Sequence, residues 1–181
     1  APQQLGLTPD GRKLYVMNAL SFDISVLDLV RREEVGRIDV GSQPVDMRIT
    51  ADGQRAYVLN GDRPVISVLD LVSDRVIGAI QLDGTGNGGL AFSPDGKILY
   101  VSSGGALLSL DVGRNLISNR LDLGGQSSSI SISPDGCRAY VGTFVTQSGG
   151  SGITVVDLVE WEVMGRLMGF AFPTQIEFRT V

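Results

Sequence analysis

The chain contains no histidine and only one cysteine among its 181 residues. Without histidine there is no Ser-His-Asp or Cys-His catalytic set, no haem held by a proximal histidine, and no His-ligated zinc or copper. Cys137 alone excludes an intramolecular disulfide and a cysteine-ligated cluster, and leaves the redox compartment open. Aromatic residues are few, 6% with a single tryptophan. No apolar run approaches the ~18 residues needed to cross a membrane, and Ala1-Pro2-Gln3-Gln4 does not read as a signal peptide. Basic charge is also short: 15 Lys and Arg against 20 Asp and Glu give a net charge of −5, which argues against a nucleic-acid partner. The chemistry left open would use carboxylates, lysine, tyrosine or a hard cation bound by oxygen.

What the sequence does have is a repeat. An apolar–variable–apolar triplet comes back as Leu5-Gly6-Leu7, Met47-Arg48-Ile49, Leu90-Ala91-Phe92, Ile130-Ser131-Ile132 and Ile176-Glu177-Phe178. Alternation with period two is a strand signal. The first four triplets each run into a turn: Pro9-Asp10-Gly11, Ala51-Asp52-Gly53, Pro94-Asp95-Gly96 and Pro134-Asp135-Gly136. Asp followed by Gly between alternating strands is a strong hairpin signal, with glycine at the left-handed position. Five residues after each of these aspartates stands Tyr15, Tyr57, Tyr100 or Tyr140, opening a second strand. A third strand ends on Asp28, Asp70, Asp111 or Asp157, and ten residues further an apolar residue (Ile38, Ile80, Leu121, Leu167) lies in a fourth. That constant spacing implies one shared tight turn between the third and fourth strands.

The pattern predicts an all-β chain of four-stranded antiparallel units, about 42 residues each, with repeats at about 2–43, 44–86, 87–126 and 127–172 and an incomplete one at 173–181. Such units bury both faces only by stacking on neighbours, and radial stacking gives a β-propeller. Helical periodicity is missing, and coils of a β-solenoid are shorter and lack these hairpins. Four blades and one extra inner strand read as part of a larger ring, or as a chain that closes a ring with another copy.

Tyr15-Val16-Met17-Asn18, Tyr57-Val58-Leu59-Asn60, the two Ser-Pro-Asp-Gly turns at 93–96 and 133–136, and Val26-Leu27-Asp28-Leu29 with Val68-Leu69-Asp70-Leu71 resemble the YVTN β-propeller repeat over essentially the whole chain. The resemblance implies a ring of seven or eight blades, a periplasmic, secreted or microbial-surface location, and relatives that include lactonase-like hydrolases and the propeller domains of redox enzymes. It departs from the haem-bearing relatives in having no histidine. A WD-repeat propeller is excluded, because its Gly-His and Trp-Asp pairs are missing.

Antiparallel order puts the second-to-third and fourth-to-first connections at one end of the sheets, and the Asp-Gly and third-to-fourth turns at the other. The latter are uniform. The former vary: Tyr-to-Asp spacings across the second and third strands are 13, 13, 11 and 17 residues, and the last includes a long connection expected over 142–152. On a repeat scaffold, function sits where length and residue type vary. Polar residues assigned to that end, at the channel mouth of a propeller, are Gln43, Asp46, Arg48, Asn87, Ser127 to Ser129, Gln175 and Glu177. Asp46, Arg48, Asn87, Gln175 and Glu177 are the ligand-binding candidates. Asp46, Asn87 and Glu177 would be the oxygen donors for a cation, calcium before zinc. The plainer alternative, a solvated channel lining with an Asp46–Arg48 or an inter-blade ion pair, is favoured. Asp28, Asp70, Asp111 and Asp157 read as turn acceptors of backbone N–H groups. The glycine run 84–89 fails as a phosphate loop, because a strand and not a helix follows it; it reads as relief of crowding. Trp161, expected to be exposed, and Phe144 are candidate partner contacts.

Function is expected to be that of a non-catalytic binding or scaffold module that presents its variable end to a protein or extracellular ligand. Its partners would be a protein or further propeller blades. The alternatives are a lactonase-like hydrolase with a channel-bound divalent cation, and the propeller segment of a larger periplasmic redox enzyme whose cofactor lies elsewhere.

Overall fold

Each repeat folds into a four-stranded antiparallel sheet whose strands follow chain order. A computed structural model describes residues 2–84, 86, 88–145 and 150–169. The first sheet comprises β1 (Pro2–Leu7), β2 (Lys13–Asn18), β3 (Asp23–Asp28) and β4 (Glu33–Asp39). The second comprises β5 (Pro44–Ile49), β6 (Arg55–Asn60), β7 (Val65–Asp70) and β8 (Arg75–Gln81). The third holds β9 (Gly88–Phe92), β10 (Ile98–Ser103), β11 (Ala106–Asp111) and β12 (Leu116–Asp122), and the fourth holds β13 (Gln126–Ile132), β14 (Arg138–Val145), β15 (Gly150–Asp157) and β16 (Glu162–Met168). There is no helix among the described residues, and hence none long and apolar enough to cross a membrane. The fifth triplet, 176–178, lies outside the described residues. The architecture is that of β-propeller blades.

The turns carry the repeat. At the Asp-Gly turns, Thr8, Thr50, Ser93 and Ser133 each donate a hydroxyl to the aspartate two residues on, at 2.5–2.7 Å. The same carboxylate oxygen then accepts the backbone N–H two residues further, at 3.0–3.1 Å. Gly11, Gly53, Gly96 and Gly136 take φ of 69–73°, the left-handed region that a Cβ disfavours. Between third and fourth strands, the residue four after each strand-ending aspartate is also left-handed, yet is never glycine: Arg32, Asp74, Asn115 and Trp161, at φ of 52–61°. Its N–H closes the loop onto the aspartate's carbonyl in the first and third sheets, at 2.7 and 2.8 Å. Every fourth strand then shifts register by one residue, at 26/27, 68/69, 109/110 and 155/156.

The chain divides into two units, residues 1–86 and 87–181, each with its own core. In the first unit, one face of the first sheet (Tyr15, Met17, Ile24, Val26, Ile38) lies on one face of the second (Met47, Ala56, Val58, Leu69, Leu71). In the second unit, Ala91, Tyr100 and Leu107 of the third sheet meet Ile130, Ala139, Val141 and Val156 of the fourth. Successive side chains of a strand point to opposite faces, so within each unit one face of a sheet is free to be covered by the other sheet.

Candidate functional site

The end of each sheet that carries the connections between second and third strands is where the repeats differ. The first two sheets span it with four residues each, 19–22 and 61–64, and the third with Gly104 and Gly105 alone. Both of these glycines have positive φ, 58° and 86°, the type I′ geometry of a two-residue hairpin. In the fourth sheet the expected long connection is mostly strand, not loop. β14 and β15 pair on through Thr143↔Gly152, Phe144↔Ser151 and Val145↔Gly150. The reason is composition: Thr143, Phe144 and Val145 favour strand, and the Thr143 and Thr154 hydroxyls bond each other at 2.8 Å across the pair. Phe144, a candidate contact, stands near the tip of this longer hairpin, half-buried.

Polar side chains at this end are mostly occupied with one another. Asn18 donates to Asp23 (2.8 Å) and Ser25 (3.0 Å), and Asn60 donates to Ser67 (3.0 Å) and to the Val65 carbonyl (3.1 Å). Thus in the first two repeats the asparagine after Tyr-Val-x ties its strand to the next. Asp62 accepts the Ser42 hydroxyl and the Gln43 N–H (2.9 Å), locking a loop between second and third strands to the segment entering β5. The Ser42 hydroxyl first, and the Gln43 N–H after it, hold the Asp62 carboxyl below its usual range. Sequence reading missed Asp62, because nothing in the repeat marks position 62. Gln43 itself is half-buried beside it.

Asp46 and Arg48 come together in one of the two ion pairs that the plainer alternative allowed, but Asp46 is buried and not part of a solvated lining. They share a face of β5, two residues apart, and pair at 2.6 Å, with Asp46 buried and the Arg48 side chain 37% exposed. The same Asp46 oxygen accepts its neighbour Met47's N–H at 2.7 Å, and Arg48 also donates to the Met47 carbonyl at 2.8 Å. A register irregularity lies just before this pair, between Pro44 and Asp46. Asn87, Gln175 and Glu177 lie outside the described residues. Among the described residues, no group of three acidic or cysteine side chains is placed to hold a metal ion. The glycine run does relieve crowding: a Cβ on Gly86 would overlap the carbonyl oxygens of Asn60 and Arg63, and one on Gly88 that of Ser102.

At the opposite end, a cleft of about 610 Å³ opens between the turns of the first two sheets, lined by Asp10, Arg12, Lys13, Asp28, Asp52 and Leu71 among others. Its acids are already engaged in their turns. Asp28 is held low by the N–H of Arg31 first and of Val30, and Asp10 and Asp52 by their turn hydroxyls. Lys13 is paired with Asp74 of the second sheet at 2.6 Å. The Tyr15 hydroxyl donates to the other oxygen of Asp74, also at 2.6 Å. Burial, and then Asp74, push the Tyr15 phenol well above its ordinary range, so it stays protonated.

Trp161 is not exposed as expected. It occupies the position of Asp74 in its own repeat, is half-buried, and stacks on Tyr100 of the third sheet with ring centroids 6.3 Å apart. Because the left-handed turn residue projects onto the neighbouring blade, an indole there packs on that blade's tyrosine. Sequence reading treated the turn as solvent and missed this contact.

No protein-family model matches the chain, and no curated protein does. Solved structures do. A chain of Kuenenia stuttgartiensis hydrazine synthase is similar with a TM-score of 0.82 and 25% identity over 92% of this chain and 49% of that one. A structure of the dihydro-heme d1 dehydrogenase NirN, in complex with DHE, is similar with a TM-score of 0.72 and 21% identity over 91% of this chain and 37% of that one. Both are β-propeller proteins, and the fold of this chain is theirs. The chain spans about half the length of the first and less of the second.

Proposed function

We propose that the chain is a non-catalytic propeller module of the YVTN kind, a part of a larger ring of seven or eight blades. It presents the varied connections between second and third strands to a protein or extracellular ligand, in the periplasm or outside the cell. The observation that carries this reading is the division of labour between the two ends of each sheet. At one end, the acids at the repeated turns are spent on their own backbones. At the other, length and residue type change from blade to blade, and the β14–β15 hairpin reaches furthest. Support for the YVTN assignment comes from the roles of its signature residues, with Tyr15 and Tyr57 buried and Asn18 and Asn60 bridging strands.

Similarity to a hydrazine synthase chain favours one second reading, the propeller segment of a larger redox enzyme whose cofactor sits outside these residues. One experiment serves both. Extract from the source organism is passed over the immobilised chain, and over a variant whose 144–151 tip is replaced by Gly-Gly. The first reading expects a partner that the wild type retains and the shortened hairpin loses. A retained partner with a haem absorption band favours the second. Retention lost instead on Arg12→Glu, at the uniform end, contradicts the proposal.

A further inference from the structure

The first sheet leaves bare a face that its counterparts keep covered. Leu5, Leu7 and Leu29 are 59%, 55% and 38% exposed. The residues at the same places in the second sheet, Met47, Ile49 and Leu71, pack against the first sheet. Those in the fourth, Ile130, Ile132 and Leu158, pack against the third. The sequence places all three sets at one register, Leu5 and Leu7 in the triplet before the turn and Leu29 after the strand-ending aspartate. A face this apolar, in a blade whose repeats elsewhere bury it, is a receiving surface for another blade.

The turn residue four after the strand-ending aspartate says what kind of blade. In the first unit it is Asp74 of the receiving sheet, which takes the covering sheet's Tyr15 hydroxyl and Lys13 ammonium. On the bare face that position is Arg32, left-handed like Asp74 and exposed. The sign at the junction is therefore reversed. A tyrosine hydroxyl can still accept from Arg32, but the residue two before that tyrosine must be acidic where Lys13 is basic. A second copy of this chain is a poor occupant. Its fourth sheet would bring Tyr140 to the site together with Arg138, setting two guanidinium groups against each other.

We infer that the uncovered face of the first sheet docks a four-stranded propeller blade from outside these 181 residues, one that carries an acidic residue two positions before its tyrosine. The inference rests on the reading of the chain as part of a larger propeller, and is independent of what the variable connections bind.

The test extends the chain. A second copy of residues 2–43 is joined ahead of Pro2, either unchanged or with Lys13→Glu in the added copy. Leu7→Cys is placed in the original repeat, with Cys137→Ser to remove the native thiol, and maleimide labelling is timed in the folded protein. The expected result is labelling slowed at least tenfold by the added repeat with Lys13→Glu, and less by the unchanged copy. Arg32→Glu in the original repeat should reverse that order, which keeps the test valid if one version folds poorly. Equal labelling with and without the added repeat overturns the docking face, and equal protection by both versions overturns the charge rule. A 181-residue chain that already sediments as a dimer with its Leu7→Cys thiol protected makes a second copy the occupant, and overturns the inference too.

Discussion

Gly53 and Gly78 show how far a single position is constrained by its backbone. Gly53 sits at φ of 69°, and a Cβ there would meet the Pro9 ring at 3.3 Å. Gly53→Val should therefore cost roughly 1–2 kcal/mol or more, since a β-branched residue is forced to positive φ. Gly78 has ordinary φ and open space around it, so Gly78→Ala should be neutral or stabilise by up to about 1 kcal/mol. Urea midpoints of the two variants check both. The turn aspartates predict a pH dependence. The Thr8, Thr50, Ser93 and Ser133 hydroxyls, and then backbone N–H groups, hold Asp10, Asp52, Asp95 and Asp135 below the ordinary value of 3.8. A carboxyl with a lowered folded pKa contributes stability that is present above its ordinary value and lost as pH falls through the lowered one. Tyr15 works in the opposite sense: its raised folded pKa gives stability that is full below its ordinary value of 10.0 and declines above it. Urea midpoints should thus be flat between about pH 5 and 9 and fall on both sides. A midpoint that rises on acidification below pH 4 would contradict this account of the turns.

Blades are joined by the turn residue that projects onto the neighbour's tyrosine, a latch made of Tyr15, Lys13 and Asp74 in the first unit and of Tyr100 and Trp161 in the second. Asp74→Ala removes the acceptor of a part-buried tyrosine and lysine. A hydrogen bond to a charged group contributes ~1.5–3 kcal/mol, and exposure of about a quarter of the Asp74 side chain places the expected loss toward the lower end. The same variant should bring Tyr15 closer to its ordinary titration range, which ultraviolet titration would detect; an unchanged tyrosine titration would remove Asp74 as the latch. Strands, Asp-Gly turns and the constant spacing of the third-to-fourth turn were legible in the sequence because each is a local demand, met within ten residues. The latch was not. Arg32, Asp74, Asn115 and Trp161 share no chemistry, only a left-handed backbone, and the contacts of Asp74 and Trp161 cross to the other sheet of their unit. Asp46 with Arg48 was legible as one of two possible ion pairs, because two residues apart on a strand means one face. The lengthened β14–β15 hairpin was hidden by its glycines at 150 and 152, which read as loop although they pair with the β-branched Val145 and Thr143.

Across the described residues, the same four-stranded sheet is built four times, with one end held constant and the other allowed to vary. Carboxylates at the constant end are committed to hydrogen bonds that fold the turn, so a ligand arriving there must displace them. At the varied end, the longer hairpin of the fourth sheet, the two-residue turn of the third and the Asp62-locked loop of the second differ in shape while resting on the same strands. This is the arrangement by which a repeat scaffold changes what it recognises without changing how it folds. Hydrogen–deuterium exchange of the chain with and without its captured partner tests that assignment most directly. The account predicts protection concentrated at 18–23, 60–65, 103–106 and 143–152, with the turns at 8–13, 50–55, 93–98 and 133–138 unchanged. Protection at those turns, with the varied connections exchanging as they do in the free chain, would contradict it.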